Sequence, residues 1–377
     1  MHYLDYAATT PVSPDVAEEM VAVLTKNFGN PSSQYRLGRF ARDLVEECRT
    51  MIATVLGCRS SQLYFTSGGT ESDNWAIRAA LHQNRRVGKH IVTTAVEHSA
   101  VLQCMKALEQ EGYEVTYLKP DGTGRISVEQ VAAALREDTA LVSIMLVNNE
   151  IGIRYPISEV AALLRIRQHP ALLHTDAVQA FMKVPFSART LGADFISISA
   201  HKVGGPKGIG ALYAGGKAKP PQPLLYGGGQ ESGLRSGTEP VAQIVGFSKA
   251  VELRYANLDA ILSHTGSIYS YALDRLAAIP DLVVISEGDA PHILAVSLPG
   301  YPSQNIVSEL DARDIYISAG SACHKGKASH VLTAMGLDKR TAAGTIRVSF
   351  SEDTNRGDID ALFFALLSHQ ASRCPML

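Results

Sequence analysis

The stretch Ala193-Asp194-Phe195-Ile196-Ser197-Ile198-Ser199-Ala200-His201-Lys202 decides the fold of this chain. Its apolar side chains alternate with small polar ones, a pattern that is typical of a β-strand. The strand delivers His201 and Lys202 to a glycine-rich turn at residues 204–208. Because an amine at the end of a buried strand is costly unless it is paired or used, Lys202 is a candidate functional residue.

A carboxylate is expected close to that lysine. A second apolar run, residues 171–173, leads to Asp176, which precedes Lys202 by 26 residues (202 − 176). The spacing fits one strand–helix–strand unit, so the two side chains can meet at neighbouring strand ends. Pyridoxal phosphate (PLP) needs this pair, because a lysine amine condenses with its aldehyde and a carboxylate keeps its pyridine nitrogen protonated.

Length and charge restrict the class of protein. The 377 residues suggest two domains, and 35 basic against 37 acidic residues give a formal net charge of −2. Without a polybasic block, nucleic acid and anionic membranes are not expected as partners. No apolar stretch approaches the ~20 residues of a membrane span, and residues 1–6 lack a signal-peptide pattern, so we expect a cytoplasmic protein.

Helix-like and strand-like segments alternate through most of the chain. This rhythm favours an α/β fold with a mainly parallel sheet covered by helices on both faces. The predicted helices are residues 14–26, 40–56, 71–81, 100–112, 128–136 and a long one over 241–278; the predicted strands include 62–65, 90–94, 114–118 and 140–147.

The pattern changes after Pro280, where short strands surround shorter helices. We therefore expect a smaller C-terminal α/β domain beside a large one. The predicted division is a large cofactor-binding domain at residues 13–255, and a small domain formed by residues 1–12 and 256–377.

A glycine-rich turn offers a phosphate site. The strand at residues 63–65 runs into Thr66-Ser67-Gly68-Gly69-Thr70-Glu71, which opens a helix. Free backbone N–H groups and the positive end of the helix dipole would face a phosphate there, with the hydroxyl of Thr70 as a further donor. A plain capped helix start is the alternative for Gly69 and Thr70.

Two more polar residues lie close to strand ends. Gln179 is three residues beyond Asp176 and could reach the ring hydroxyl of the cofactor. His98 follows the strand at 90–94, and its imidazole could stack on the cofactor ring and transfer protons. A histidine that merely starts a helix is the alternative for His98.

Cys323 is the candidate nucleophile. The five cysteines are odd in number, widely spaced and without C-x-x-C, which argues against a disulfide framework or a structural zinc site. Cys323 alone lies among small polar residues with cationic ones just after it, which favours a reactive thiolate. A zinc site built from Cys323, His324 and His330 is a weaker alternative, because the spacing matches no closed tetrahedral set, and we predict no metal.

Arg347 interrupts the apolar strand at residues 345–350. A guanidinium binds a carboxylate through two parallel hydrogen bonds, so this residue could hold the carboxylate of an amino-acid substrate. A surface arginine on an edge strand is an equally open alternative.

Taken together, these residues resemble those of the cysteine desulfurases of the Nif/Isc type, within the class V group of fold-type I PLP enzymes. The resemblance runs essentially from end to end. It is carried, in order, by Asp5-Tyr6-Ala7-Ala8-Thr9-Thr10-Pro11, Gly29-Asn30-Pro31-Ser32-Ser33, Thr70-Glu71-Ser72-Asp73-Asn74, Glu97-His98, Asn148-Asn149-Glu150-Ile151-Gly152, Asp176 with Gln179, Ser199-Ala200-His201-Lys202, Gly227-Gly228-Gly229-Gln230-Glu231, Arg235-Ser236-Gly237-Thr238 and Gly320-Ser321-Ala322-Cys323. One departure is Tyr35, where members often carry a histidine.

The resemblance implies a role for each candidate. Lys202 would carry the cofactor, His98 would stack on its ring and assist catalysis, and Asp176 would pair with the pyridine nitrogen. The other implied cofactor contacts are made by Gly69, Thr70, Asn148, Gln179, Ser199, His201 and Thr238. Asn30, Asn148 and Arg347 would bind substrate. Thr238 would reach the phosphate of a neighbouring subunit, which implies a homodimer.

The implied reaction converts L-cysteine to L-alanine and leaves the sulfur on Cys323 as a persulfide. A sulfur-acceptor protein would then collect it, of the scaffold type used in iron–sulfur cluster assembly or of the type used in tRNA thiolation. The alternatives are a selenocysteine lyase or an aminotransferase on the same fold, and a non-catalytic partner protein.

Overall fold

The computed structural model describes residues 1–320 and 329–375, and Cys323 lies outside them. Its strands follow the apolar segments of the sequence. They are β1 (His2–Tyr3), β2 (Leu63–Thr66), β3 (His90–Thr94), β4 (Glu114–Leu118), β5 (Thr139–Ser143), β6 (Leu172–Asp176), β7 (Phe195–Ser199), β8 (Gly210–Ala214), β9 (Val283–Ser286), β10 (Ile293–Ser297), β11 (Ile315–Tyr316), β12 (Ser318–Ala319) and β13 (Thr345–Ser349).

The helices begin and end at residues that suit helix termini. Ser13 caps the first helix by accepting the N–H of Val16, and Gly57 ends the second with a φ of 77°. The α-helices are α1 (Pro14–Thr25), α2 (Arg36–Leu56), α3 (Gly69–Gln83), α4 (Ser99–Gln110), α5 (Val128–Ala134), α6 (Ile157–Ile166), α7 (Ala188–Leu191), α8 (Val241–Ala256), α9 (Leu258–Ala277), α10 (Ser303–Asp311), α11 (His330–Ala334), α12 (Lys339–Ala343) and α13 (Arg356–Ser372).

The central sheet has seven strands in the order β2-β8-β7-β6-β5-β3-β4. The pairs from β7 to β4 are parallel, whereas β8 runs antiparallel to both of its neighbours. Adjacent apolar residues of one strand enter different clusters: Ile91 packs into one and Val92 into another, as do Leu141 and Val142. The sheet is therefore mainly parallel and buried on both faces, as predicted.

A second sheet is antiparallel, with the order β12-β13-β10-β9. A separate apolar cluster forms around it from Leu4 and from side chains between Ile268 and Leu366. The N-terminal strand β1 pairs with β11 in parallel, which ties the start of the chain to this region. The predicted division at residues 12 and 255 stays a prediction.

The register of the central sheet brings the two key strand ends together. Asp176 ends β6 and pairs with Ser197 of β7. The chain leaves β7 at Ser199 and passes through a single 3-10 turn, Ala200–Lys202. Asp176 and Lys202 therefore lie at the same edge of the sheet, where ligands of open parallel sheets bind.

Three predicted elements differ from the structure by more than two residues at one end or by a break. The long helix expected over 241–278 is broken at Asn257 into α8 and α9. The strand expected over 140–147 ends at Ser143, although the N–H of Leu146 still bonds to the carbonyl of Asp176 at 2.8 Å. Helix α2 begins at Arg36, four residues before the predicted start, where Gly38 lets the preceding loop approach closely.

Within residues 1–320 and 329–375, no helix combines the length and the apolar character that crossing a bilayer requires.

Candidate active site

One cavity of about 570 Å³ collects most of the predicted site residues. It lies where β6 and β7 end and where α3 begins. The predicted residues on its wall are Gly69, Thr70, His98, Asp176, Gln179, Ser199, His201, Lys202 and Arg347. The structure therefore brings together residues that lie up to 278 positions apart in sequence (347 − 69).

Lys202 points toward the N-terminal segment of the chain. Its Nζ donates hydrogen bonds to the backbone carbonyls of Ala7 and Ala8, each at 2.7 Å. Burial, reinforced by the positive charge of Arg347, lowers the pKa of Lys202 to about 8. A larger share of this amine is therefore neutral near physiological pH than for an ordinary lysine, as an amine that condenses with an aldehyde requires.

Asp176 is 7% exposed and faces the same cavity. One carboxylate oxygen accepts the backbone N–H of Val178 at 2.8 Å. Burial, followed by the nearby carboxyl of Asp73, raises the pKa of Asp176 to about 7. A positively charged partner in the cavity would stabilise its ionised form.

His98 is the N-cap of α4, where its Nδ1 accepts the N–H of Ala100 at 3.2 Å. The ring is exposed and on the cavity wall, and one of its nitrogens lies within 4.8 Å of an Asp176 carboxylate oxygen. His98 therefore starts a helix and also lies on the cavity wall. Whether it stacks on a cofactor stays a prediction.

The turn before α3 has the backbone of an anion cradle. Gly68 has a φ of 147°, which favours glycine, and it precedes the first helical residue Gly69. A Cβ on Gly69 would lie 2.7 Å from a methyl group of Val178, so the position has no room for a side chain. Thr70 is exposed beside it, which leaves its hydroxyl accessible to an anion.

Ser199 and His201 lie on the wall of the same cavity. The Nδ1 of His201 lies 3.3 Å from the hydroxyl of Thr9. Burial, followed by the charge of Lys202, lowers the pKa of His201 to about 4. The ring is therefore neutral, and it could offer one N–H to a phosphate oxygen.

Gln179 and Asn148 differ in their placement. The amide nitrogen of Gln179, on the wall, donates to the carbonyl of Ala7 at 2.8 Å, the same carbonyl that Lys202 contacts. Asn148 is fully buried and absent from the wall; its amide donates to the carbonyl of Val96 at 3.0 Å and its oxygen accepts two backbone N–H groups. In this structure Asn148 shapes the loop after β5, and its predicted contact with cofactor or substrate stays a prediction.

Arg347 lies on β13, between β12 and β10, and is 9% exposed. The alternative of a surface arginine on an edge strand is therefore wrong. Its guanidinium donates to the carbonyl of Asn149 and to a carboxylate oxygen of Asp5, both at 2.8 Å, and to the Ser318 hydroxyl at 3.0 Å. These bonds use three of the five N–H donors, and the Nε N–H has no hydrogen-bond partner in the described part of the chain, so it remains for a ligand.

Asn30 and Thr238 are exposed and do not line the cavity of their own chain. Cys323 lies outside the described residues. The two segments on either side of it do reach the cavity, because Gly320 and Ser329 are both on its wall.

Sequence reasoning missed two buried acids at this site. Asp73 of α3 is 1% exposed and lies on the wall. Glu97 is fully buried; it accepts the hydroxyl of Thr94 at 2.7 Å, and burial raises its pKa to about 8. Both occur in the motifs quoted above, and no local sequence pattern marked either residue as buried.

The donor set fits PLP. The buried carboxyl of Asp176 forms no ion pair with another described residue, the turn at Gly68 and Gly69 fits a phosphate, and the amine of Lys202 is partly neutral. Each matches one part of the cofactor: the ring nitrogen, the phosphate and the aldehyde.

Comparisons with known proteins agree with this geometry. Residues 2–362 match the family model described as aminotransferase class-V. The cysteine desulfurase IscS of Methanosarcina thermophila is 41% identical over 95% of this chain and 89% of its own length. The cysteine desulfurase IscS of Vibrio vulnificus is 42% identical over 95% of this chain and 90% of its own.

Solved structures give the same result. A "NIFS-like protein" superposes with a TM-score of 0.92 at 36% identity, over 98% of this chain and 99% of that one. A structure described as "SspA in complex with cysteine" has a TM-score of 0.81 at 34% identity, over 93% of this chain and 99% of that one. The predicted fold-type I architecture is thereby confirmed, and the chain belongs to the aminotransferase class-V family and, within it, to the cysteine desulfurases of the Nif/Isc type.

Proposed function

We propose that this chain is a PLP-dependent cysteine desulfurase that converts L-cysteine to L-alanine and passes the sulfur to Cys323. The observation that carries this proposal is the meeting of Lys202, Asp176 and Arg347 on the wall of one cavity. They supply an amine for the cofactor aldehyde, a carboxylate for its ring nitrogen and a guanidinium for the substrate carboxylate. The IscS relatives support the same substrate and reaction.

Lys202 is the proposed base. Bound PLP would supply an electron sink for the carbanion that forms at the substrate α-carbon. The neutral amine of Lys202 accepts the α-proton, and its lowered pKa keeps that amine available near neutral pH. His98, exposed at the cavity wall, is placed to move a second proton.

Arg347 is the proposed anchor for the substrate carboxylate. Asp5, Ser318 and the Asn149 carbonyl fix the plane of its guanidinium. A planar guanidinium held in this way binds a carboxylate in one orientation. The thiol side chain of L-cysteine would thus be held in a defined direction.

Cys323 accepts the sulfur. It follows Gly320, on the cavity wall, by three residues (323 − 320), and three extended residues span at most about 11 Å. In the transfer an S–S bond forms and the Cβ–S bond of the substrate breaks. The thiol proton is released, and the alanine product takes up a proton at its β-carbon. The atoms and electrons of L-cysteine and the Cys323 thiol therefore equal those of alanine and the persulfide, and the reaction needs no external oxidant.

A homodimer is part of the proposal, with Thr238 reaching the phosphate site of the partner. Thr238 is exposed and is not on the cavity wall of its own chain. Large apolar side chains are exposed on α1, on the loop that follows it and on the glycine-rich loop, including Leu24 at 62%, Phe28 at 67% and Tyr226 at 85%. Exposed apolar side chains such as these would be covered in a subunit interface. Light scattering of the holoenzyme should give twice the mass of one chain, and Thr238→Ala should weaken PLP binding.

Three further parts of the proposal rest on the sequence. We place the enzyme in the cytoplasm, with a protein of the scaffold or tRNA-thiolation type as sulfur acceptor. We also divide the chain into a large domain at residues 13–255 and a small one at 1–12 and 256–377. The apolar cluster that joins Leu4 to residues 268–366 supports this division.

The function is tested by the products formed from L-cysteine. The holoenzyme should release alanine, and sulfide should appear only when a reductant removes the persulfide. Cys323→Ala should abolish alanine release while the visible absorbance of the cofactor remains. Cys374→Ala, at an exposed cysteine distant in sequence, is the matched control and should retain the rate.

Other outcomes separate the alternatives. Full alanine release by Cys323→Ala would overturn the proposal. Turnover with a keto acid that does not depend on Cys323 would indicate an aminotransferase. Cleavage of selenocysteine alone would indicate a selenocysteine lyase. A purified protein without PLP would favour a non-catalytic partner.

A further inference from the structure

The carboxyl group of a second residue, Asp73, lies close to that of Asp176. Asp73 projects from α3 to the same cavity, and carboxylate oxygens of Asp73 and Asp176 lie within 4.8 Å of each other. The two residues are 1% and 7% exposed. They therefore form a buried carboxyl pair.

A buried pair at this spacing does not carry two negative charges. Water screens little there, so ionisation of the first carboxyl strongly opposes ionisation of the second. At neutral pH the pair of Asp73 and Asp176 therefore holds one proton and one negative charge.

The surroundings favour the charge on Asp176. Its oxygen accepts the backbone N–H of Val178 at 2.8 Å, a hydrogen bond that stabilises an ionised carboxylate. The imidazole of His98 lies on the same side and lowers the pKa of Asp176 when protonated. Asp176 also faces the open cavity, where a cationic ring nitrogen would lie.

The surroundings of Asp73 favour the proton. Its Oδ1 accepts no hydrogen bond from the described residues, although it lies 3.5 Å from the Nε2 of His174. Burial raises the pKa of Asp73 to about 7, and a hydrogen bond from Ser197 only partly opposes this. An ionised carboxylate with one bare buried oxygen would be costly, whereas a protonated oxygen can donate.

His174 offers an acceptor for that proton. Its Nδ1 lies 2.8 Å from the hydroxyl of Ser143 and its Nε2 lies 3.1 Å from the hydroxyl of Ser197. The ring is fully buried, and burial lowers its pKa to about 4, so it is neutral. With Nδ1 donating to Ser143, Nε2 is an acceptor that lies 3.1 Å from the Ser197 hydroxyl and 3.5 Å from Asp73 Oδ1, within reach of a proton held there.

We propose that Asp73 is a positioning residue that holds a proton, so that the single negative charge of the carboxyl pair stays on Asp176. This inference rests on the proposed function, because the charge on Asp176 matters through the ring nitrogen of PLP. A charge shared with Asp73 would lie deeper in the protein and would pair less well with that nitrogen. Asp73 thus acts through Asp176 and not on the substrate.

Infrared difference spectroscopy of the holoenzyme tests this directly. The spectrum of wild type minus Asp73→Asn at neutral pH should contain the C=O stretch of a protonated carboxyl, with the usual shift in heavy water. A carboxylate signal in its place would overturn the inference. A merely structural role for Asp73 would not produce the acid band.

Cofactor affinity provides the second measurement. The amide introduced by Asp73→Asn is neutral like the protonated acid, so this variant should keep the PLP dissociation constant within about threefold of wild type. Asp176→Asn removes the charge itself and should weaken PLP binding by roughly tenfold or more. A tenfold loss in Asp73→Asn as well would show that Asp73 is ionised.

Two further results keep the inference separate from the function. If Asp73→Asn does not fold, NMR of wild type labelled with carbon-13 at the aspartate carboxyls must still show one acid resonance at neutral pH, and its absence would overturn the inference. A wild-type protein that binds no PLP would refute the proposed function, whereas the infrared band of Asp73 could still be read.

Discussion

Replacing Arg347 with lysine separates charge from geometry at the proposed carboxylate anchor. The guanidinium makes hydrogen bonds of 2.8 Å to the Asn149 carbonyl and 2.8 Å to Asp5, and is 9% exposed. A lysine keeps the positive charge but cannot form two parallel bonds to a carboxylate. The variant therefore loses at least one charge-assisted hydrogen bond to the substrate, of about 1.5–3 kcal/mol.

That loss corresponds to a decrease in kcat/KM for L-cysteine of about 10- to 150-fold. Most of it should appear in KM, because the substrate carboxylate is bound before and during the reaction. The assay is alanine release under steady-state conditions, with a thermal-unfolding measurement to show that the variant is folded. Arg313→Lys is the matched control, since Arg313 is 40% exposed in its side chain and pairs with Glu309.

A decrease of less than threefold in Arg347→Lys, with the control unchanged, would contradict the anchoring role. A decrease confined to kcat would contradict it too, because the residue would then act in chemistry and not in binding.

Two stability predictions follow from buried charges. The pKa of Lys202 is lowered from 10.5 to about 8, so between these values the unfolded apoprotein binds more protons than the folded one. Wild-type stability relative to Lys202→Met should therefore rise by about 3 kcal/mol as the pH increases from 8 to 10.5, measured by urea unfolding; a flat difference would contradict the shift. Arg49 donates to Glu231 at 2.7 and 2.8 Å within the protein, so Arg49→Met should destabilise the fold by about 3–5 kcal/mol. Arg136, which forms an exposed ion pair, is the comparison. Arg136→Met should lower the free energy of unfolding by at most about 1 kcal/mol.

The sequence predicted the site residues that lie at the ends of strands β6 and β7. Strands β6 and β7 are short apolar runs, and each is followed by polar residues, so the positions of Asp176 and Lys202 follow from local pattern and chain spacing. The glycine turn before α3 was visible for the same reason. These features depend on residues close together in the chain.

The contacts that come from distant segments could not be predicted in this way. Lys202 bonds to carbonyls of Ala7 and Ala8, which lie more than 190 residues away in sequence, and no local pattern connects them. Asp73 occupies a buried position on α3, but an acid in a helix is normally solvated, so its burial was not expected. The break of the long helix at Asn257 likewise carries no glycine or proline signal.

Covalent trapping of the cofactor tests the central claim most directly. Borohydride reduction of the coloured holoenzyme, followed by digestion and mass spectrometry, should place the pyridoxyl group on the peptide that contains Lys202. A tag on any other side chain, or no tag at all, would contradict the account.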